Sequence, residues 1–136
     1  MPANLENSAV EEHGYYRHSL VNVAFEGEAG MLAMGRLMTS LREQPPISIA
    51  GLKVLACADY QQQVTTDLVS GEQTPITLPR SNVLSYTLES GAGLIIRPSG
   101  TEPKIKGYIT ATGSDPTAAA ALEDALRQEA EAILKG

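Results

Sequence analysis

Arg97-Pro98-Ser99-Gly100-Thr101-Glu102-Pro103-Lys104 is the stretch on which the reading of this chain turns. The apolar run Gly93-Leu94-Ile95-Ile96 enters it, and an alternating run from Lys104 to Thr112 leaves it. A polar segment rich in Pro and Gly between two such runs predicts a loop joining two strands. Its side chains suit an anion. The Arg97 guanidinium can grip a phosphate through two parallel hydrogen bonds. Ser99 and Thr101 add hydroxyl donors, and Gly100 admits close backbone approach and a positive φ. Successive N–H groups in such a turn can form an anion-binding concavity. Pro98 and Pro103 stiffen its ends, so less ordering entropy is lost on binding. The same residue types also build ordinary turns, so on composition alone a plain turn and an anion site both stand.

Working outward, Val83 to Glu89 alternates with Leu84, Tyr86 and Leu88 on one face. Ser90-Gly91-Ala92-Gly93 turns it back into Leu94 to Ile96 as a hairpin. After the loop, Ile105, Ile109 and Ala111 face one way, and Lys106, Tyr108, Thr110 and Thr112 the other. Gly113-Ser114-Asp115-Pro116 ends that strand, with Asp115 a good N-cap and Pro116 a good first helical residue. Ala118, Leu122, Ala125, Leu126, Glu129 and Ile133 recur at helical spacing, and the apolar ones predict a buried stripe running toward Lys135. In the N-terminal half, His18 to Phe25 predicts a strand. Glu26 to Arg42 predicts a helix whose stripe is Met31, Met34, Met38 and Leu41, with Leu37 beside it, stopped by Pro45-Pro46. Lys53 to Tyr60 predicts a mostly apolar strand. Gln61 to Asn82 reads as a long polar connection with a short strand near Ile76 to Leu78; long connections are functional more often than short ones. Met1 to His13 has no firm pattern and reads as a linker or frayed helix, with the ordered domain running from Gly14 to Gly136. This order of elements predicts an α+β domain: an antiparallel sheet of about four to five strands with two main helices on one face.

Composition bounds the function. The 136 residues fit one domain, and 43% hydrophobic against 19% charged residues describes a globular chain. A net charge of −6 argues against general nucleic-acid or anionic-membrane binding. From Arg80 to Lys106 the balance reverses, with Arg80, Arg97, Lys104 and Lys106 against Glu89 and Glu102. The single cysteine, Cys57, allows no intrachain disulfide; within Val54 to Ala58 it reads as a buried structural thiol. His13 and His18 lack the three or four neighbouring ligand types that zinc needs, and read as surface residues. Met1 to His13 has no apolar signal core, and no apolar run is long enough for a bilayer, so a cytoplasmic location is expected.

The string from Arg97 to Lys106 resembles the phosphate-binding loop of the α-D-phosphohexomutases, the phosphoglucomutases, phosphomannomutases and their relatives. Leu78-Pro79-Arg80-Ser81-Asn82-Val83, Gly51-Leu52-Lys53-Val54 with Asp59-Tyr60, and Leu37 to Arg42 are similar to parts of that family's C-terminal (fourth) domain. The likeness covers about Gly14 to the end. It implies a fold like that of the TATA-box-binding protein, without that protein's function. It implies a parent enzyme of four domains around one cleft, in which a phosphoserine hands its phosphoryl group to a hexose (or pentose) phosphate with Mg²⁺ assisting. The C-terminal loop there holds the phosphate that is not being transferred. Carried over by position, Arg97, Ser99, Gly100 and Thr101 bind phosphate, and Glu102 and Lys104 support them by shape or charge. The family's phosphoserine motif Thr-Ala-Ser-His-Asn-Pro, its metal loop Asp-x-Asp-x-Asp-Arg and its sugar motif Gly-Glu-x-Ser-Gly do not occur in this sequence; Gly71-Glu72-Gln73-Thr74 does not complete the last. The resemblance therefore implies a domain of a larger isomerase, with no catalytic residue and no cofactor of its own, whose partners are a sugar phosphate and the other domains. No turnover is expected from the 136 residues alone. A stand-alone phosphate-binding or regulatory module is the alternative, and a structural domain with a plain turn a third. The wording leans toward phosphoglucomutase-like or phosphopentomutase-like members over the glucosamine branch.

Overall fold

Alternation decides which side of each strand is dry. A computed structural model describes residues 15–99 and 101–135. The expected linker from Met1 to His13, and the expected domain start at Gly14, lie outside those residues. The strands are β1 (Tyr15–Ala24), β2 (Ser48–Ile49), β3 (Leu52–Asp59), β4 (Val64–Asp67), β5 (Gln73–Pro75), β6 (Leu84–Leu88), β7 (Gly93–Pro98) and β8 (Lys104–Gly113). The helices are α1 (Gly27–Glu43) and α2 (Pro116–Lys135). A short 3₁₀ turn, Glu89–Gly91, joins β6 to β7, with Ser90 taking a left-handed φ of 64° inside it. The sheet runs β1-β8-β7-β6-β3-β4-β5, every pairing antiparallel, with β2 attached to β3 off the main path.

Leu84, Tyr86 and Leu88 are buried, as are Leu94 and Ile96 opposite them and Ile105, Ile109 and Ala111 on β8. These residues share one face with Val21 and Val23 of β1 and pack against both helices. Polar contacts fix the same side. From β1, Arg17 Nε meets Glu123 Oε1 at 2.7 Å, and Ser19 bonds Arg127, both partners on α2. From β3, Asp59 Oδ1 accepts from Arg42 Nε of α1 at 3.2 Å. Among the described residues no helix covers the opposite face; Leu20, Ile95 and Tyr108 are exposed there.

Four expectations need correcting. Among the described residues the sheet has eight strands, not four to five, because the stretch from Gln61 to Asn82 folds into the β4–β5 hairpin and Ser48–Ile49 adds the short β2. The short strand there is Gln73–Pro75, not Ile76 to Leu78. Its proline is tolerated because, among the described residues, β5 is an edge strand with one side unpaired. In α1, Met34, Met38 and Leu41 are buried as expected, but Met31 is exposed and Gly30 takes its place. A Cβ on Gly30 would stand 2.9 Å from the Phe25 carbonyl carbon, so the helix start seats where only a bare Cα fits. In α2 the buried stripe is Ala119, Leu126, Ala130 and Leu134, with Leu122 and Ile133 at its shoulders; Ala118 and Ala125 face solvent. The start of α2 is as expected: Ala118 N–H donates to Asp115 Oδ1 at 2.7 Å.

Candidate functional site

The β7–β8 corner is held at its base and on its flank. Ser99 N–H donates to Lys104 O at 2.8 Å, and Lys104 N–H to Glu102 O at 2.8 Å. Phe25 N–H, at the exit of β1, donates to Pro103 O at 2.6 Å. Within the loop the N–H groups of Thr101 and Glu102 converge on Ser99 Oγ, at 3.3 and 3.2 Å. The hydroxyl oxygen accepts both, and its hydrogen remains to donate outward.

Register then assembles what chain order does not show. Arg97 of β7 stands opposite Lys106 of β8, and Lys106 opposite Asn22 of β1. Directly opposed residues on antiparallel strands bring their Cβ atoms to within roughly 5 Å. A guanidinium, an ammonium and an amide thus lie in one row on the helix-free face, beside Ser99. Lys104 extends the positive wall and pairs with Glu102 at 3.5 Å, both side chains about half exposed. Among the described residues Arg97 and Lys106 have no carboxylate within ion-pair distance. The row opens into a groove of about 610 Å³, which Asn22, Arg97, Ser99, Glu102, Lys106 and Tyr108 help to line. That size lies within the usual range of small-molecule sites.

Of the residues expected from sequence, Arg97, Ser99, Glu102 and Lys104 come together around the groove. Thr101 contributes its N–H to the turn, but its side chain is exposed and does not line the groove. Gly100 lies outside the described residues. Sequence reasoning missed Lys106 and Asn22 as site residues. The alternation of β8 already put Lys106 on the outer face; what was missing was the register that sets it opposite Arg97.

The other chemically suggestive groups are structural. Cys57 is buried, and burial, with the nearby Asp59 carboxylate adding to it, pushes its thiol up to about 11. It is therefore a neutral thiol at pH 7, as expected. His18 Nδ1 lies 3.3 Å from Thr110 Oγ1 on the open face. Among the described residues no three His, Cys, Asp or Glu side chains converge as metal ligands. Among the described residues no helix is long and apolar enough to cross a membrane. Arg42 links three of the outlying segments: it bonds Asp59 at 3.2 Å and also Asn82, and so ties α1, β3 and the Leu78 to Val83 loop into one knot.

The sequence is similar to known proteins over most of its length. Residues 20–134 match the family model described as "Phosphoglucomutase/phosphomannomutase, C-terminal domain". A phosphoglucomutase of Staphylococcus epidermidis is 39% identical over 97 residues, which is 71% of this chain and 18% of that protein. A probable phosphomannomutase of Haemophilus influenzae is 37% identical over 114 residues, 84% of this chain and 20% of that protein. Among solved structures, the open form of a Paramecium phosphoglucomutase, pp63/parafusin, aligns with 96% of this chain and 23% of its own length, at a TM-score of 0.48 and 18% identity. The chain thus spans about a fifth of the length of the curated relatives it matches. With a family model covering all but its ends, the chain belongs to the phosphoglucomutase/phosphomannomutase C-terminal domain family.

Proposed function

We propose that the Ser99 corner and the Arg97–Lys106–Asn22 row bind the phosphate of a phosphorylated sugar, and that they do so as the non-transferred phosphate site of a phosphoglucomutase- or phosphomannomutase-type isomerase. The observation that carries this reading is the pairing of Arg97 with Lys106 on an uncovered face, with no carboxylate neutralising either among the described residues. Two cations side by side repel each other, and an anion between them turns that repulsion into attraction. Ser99 adds a hydroxyl donor at the same edge. Arg97 offers the planar fork that matches phosphate, and Lys106 a point charge.

In such an enzyme this domain supplies positioning. Phosphoryl transfer depends heavily on holding the reacting groups in line. A pocket that reads the phosphate end serves either orientation of a bisphosphorylated sugar. The phosphoryl carrier and Mg²⁺ belong to the remainder of such an enzyme, and the purified 136-residue chain is expected to give no turnover of hexose phosphates. The role proposed for that enzyme is cytoplasmic and in carbohydrate metabolism.

Titration with inorganic phosphate, followed by amide shifts, tests the reading. The Ser99, Thr101 and Glu102 signals should move at millimolar phosphate. Arg97→Lys keeps the charge but removes the fork, and should weaken binding about tenfold, the loss of roughly one charged hydrogen bond. Motionless loop signals, or equal affinity in the Lys variant, would refute it.

A further inference from the structure

We propose that Tyr108 is the platform on which the sugar ring of the bound phosphate ester rests, so that this domain recognises a ring as well as a phosphate. The inference rests on the phosphate reading above. Along β8, Tyr108 follows Lys106 by two residues on the same face, a step of about 7 Å. It lies between Ile95 of β7 and Leu20 of β1, the next row of the sheet. These three side chains are 38%, 41% and 42% exposed, so an apolar strip begins where the cation row ends. Tyr108 lines the same groove as Arg97 and Lys106. An inorganic phosphate held at the row leaves the Tyr108 end of a 610 Å³ groove unused.

The chemistry selects the occupant. A pyranose or furanose carries hydroxyls around its rim and C–H groups on its faces. Such a face packs against an aromatic ring through apolar contact, while the Asn22 amide can both donate to and accept from rim hydroxyls. Apolar contact has little directionality, so the platform accepts a sugar turned end for end, as a site reading only the phosphate does. The preferred ligand class is thus a phosphate monoester attached to a sugar ring, over inorganic phosphate or an acyclic phosphate.

The test uses the whole 136-residue chain with three probes: inorganic phosphate, glycerol 3-phosphate and glucose 6-phosphate. Glucose 6-phosphate should bind about three- to tenfold tighter than the other two, the worth of one aromatic contact. It should shift the Leu20 and Ile95 methyl signals, which inorganic phosphate leaves in place. In Tyr108→Leu the ratio of glucose 6-phosphate to inorganic phosphate affinity should fall to about one, and Tyr108→Phe should keep it. Equal affinities in the parent chain, or a ratio unchanged in Tyr108→Leu, overturn the platform. If Tyr108→Leu does not fold, methyl signals in the parent chain that respond identically to both ligands overturn it. Failure to bind inorganic phosphate at all would instead overturn the phosphate site itself.

Discussion

Gly113 and Gly35 make a paired prediction, because the same substitution should act in opposite directions at the two positions. Gly113 is the last residue of β8, and the first turns of α2 lie directly on it. A Cβ there would come within 2.3 Å of Ala119 N and 2.8 Å of Ala118 C and Ala119 Cα, all backbone atoms. The helix cannot slide away freely, since Ala118 N–H and Ala119 N–H are both bonded to Asp115. Overpacking against immovable atoms costs about 1–3 kcal/mol, and losing one capping bond adds about 1 kcal/mol. Gly113→Ala should therefore cost about 3 kcal/mol and lower Tm by roughly 10 °C for a domain of this size. Gly35 is exposed within α1, and nothing lies within 4 Å of its added Cβ. Gly35→Ala should stabilise by about 0.5–1 kcal/mol through helix propensity alone. Urea unfolding followed by circular dichroism at 222 nm measures both. A Gly113→Ala variant within about 0.5 kcal/mol of the parent would refute the described seating of α2 on β8.

Three further outcomes are expected. Tyr86 is fully buried, and its hydroxyl has no partner among the described residues, so Tyr86→Phe should leave stability unchanged or raise it by up to about 1 kcal/mol; a marked loss in chemical denaturation would mean that the hydroxyl is satisfied. Asp59→Ala strands Arg42 in a place where both side chains are 13% exposed and also removes the acceptor for Gln61 and Gln62 N–H, so a loss of about 2–3 kcal/mol is expected by the same measurement. The Cys57 thiol is raised from 9.0 to about 11, so its contribution to stability is complete below pH 9 and is lost as pH climbs through 11. Iodoacetamide at pH 8 should accordingly label Cys57 only in urea, and rapid labelling of the native chain would contradict the burial.

Much of the fold was legible because its strands alternate strictly. Leu84-Ser85-Tyr86-Thr87-Leu88 and Ile105 to Ala111 announce one dry face each, and the sheet follows from pairing those faces. The β4–β5 hairpin was hidden because its members are short and largely polar, and neither has a fully buried residue to impose a pattern. The place of Gly30 in α1 was hidden because a glycine carries no hydrophobic signal, although its bareness is what the contact with Phe25 requires. At the site, Arg97 and Ser99 were readable because they are neighbours in the string. Lys106 and Asn22 were not, because only the register of three strands puts them in one row.

Asn22 and Tyr108 stand on strands joined by an unbroken ladder of ten paired positions, from Tyr15↔Gly113 to Ala24↔Lys104. Among the described residues β1 is the outermost strand, with its other side unpaired. A backbone cut after Phe25 would leave a 25-residue peptide, Met1 to Phe25, that carries the whole of β1 and can be withdrawn and supplied again in trans. Ligand capture then becomes a readout of strand complementation: the groove loses its Asn22 wall when the peptide leaves and is whole again when it returns.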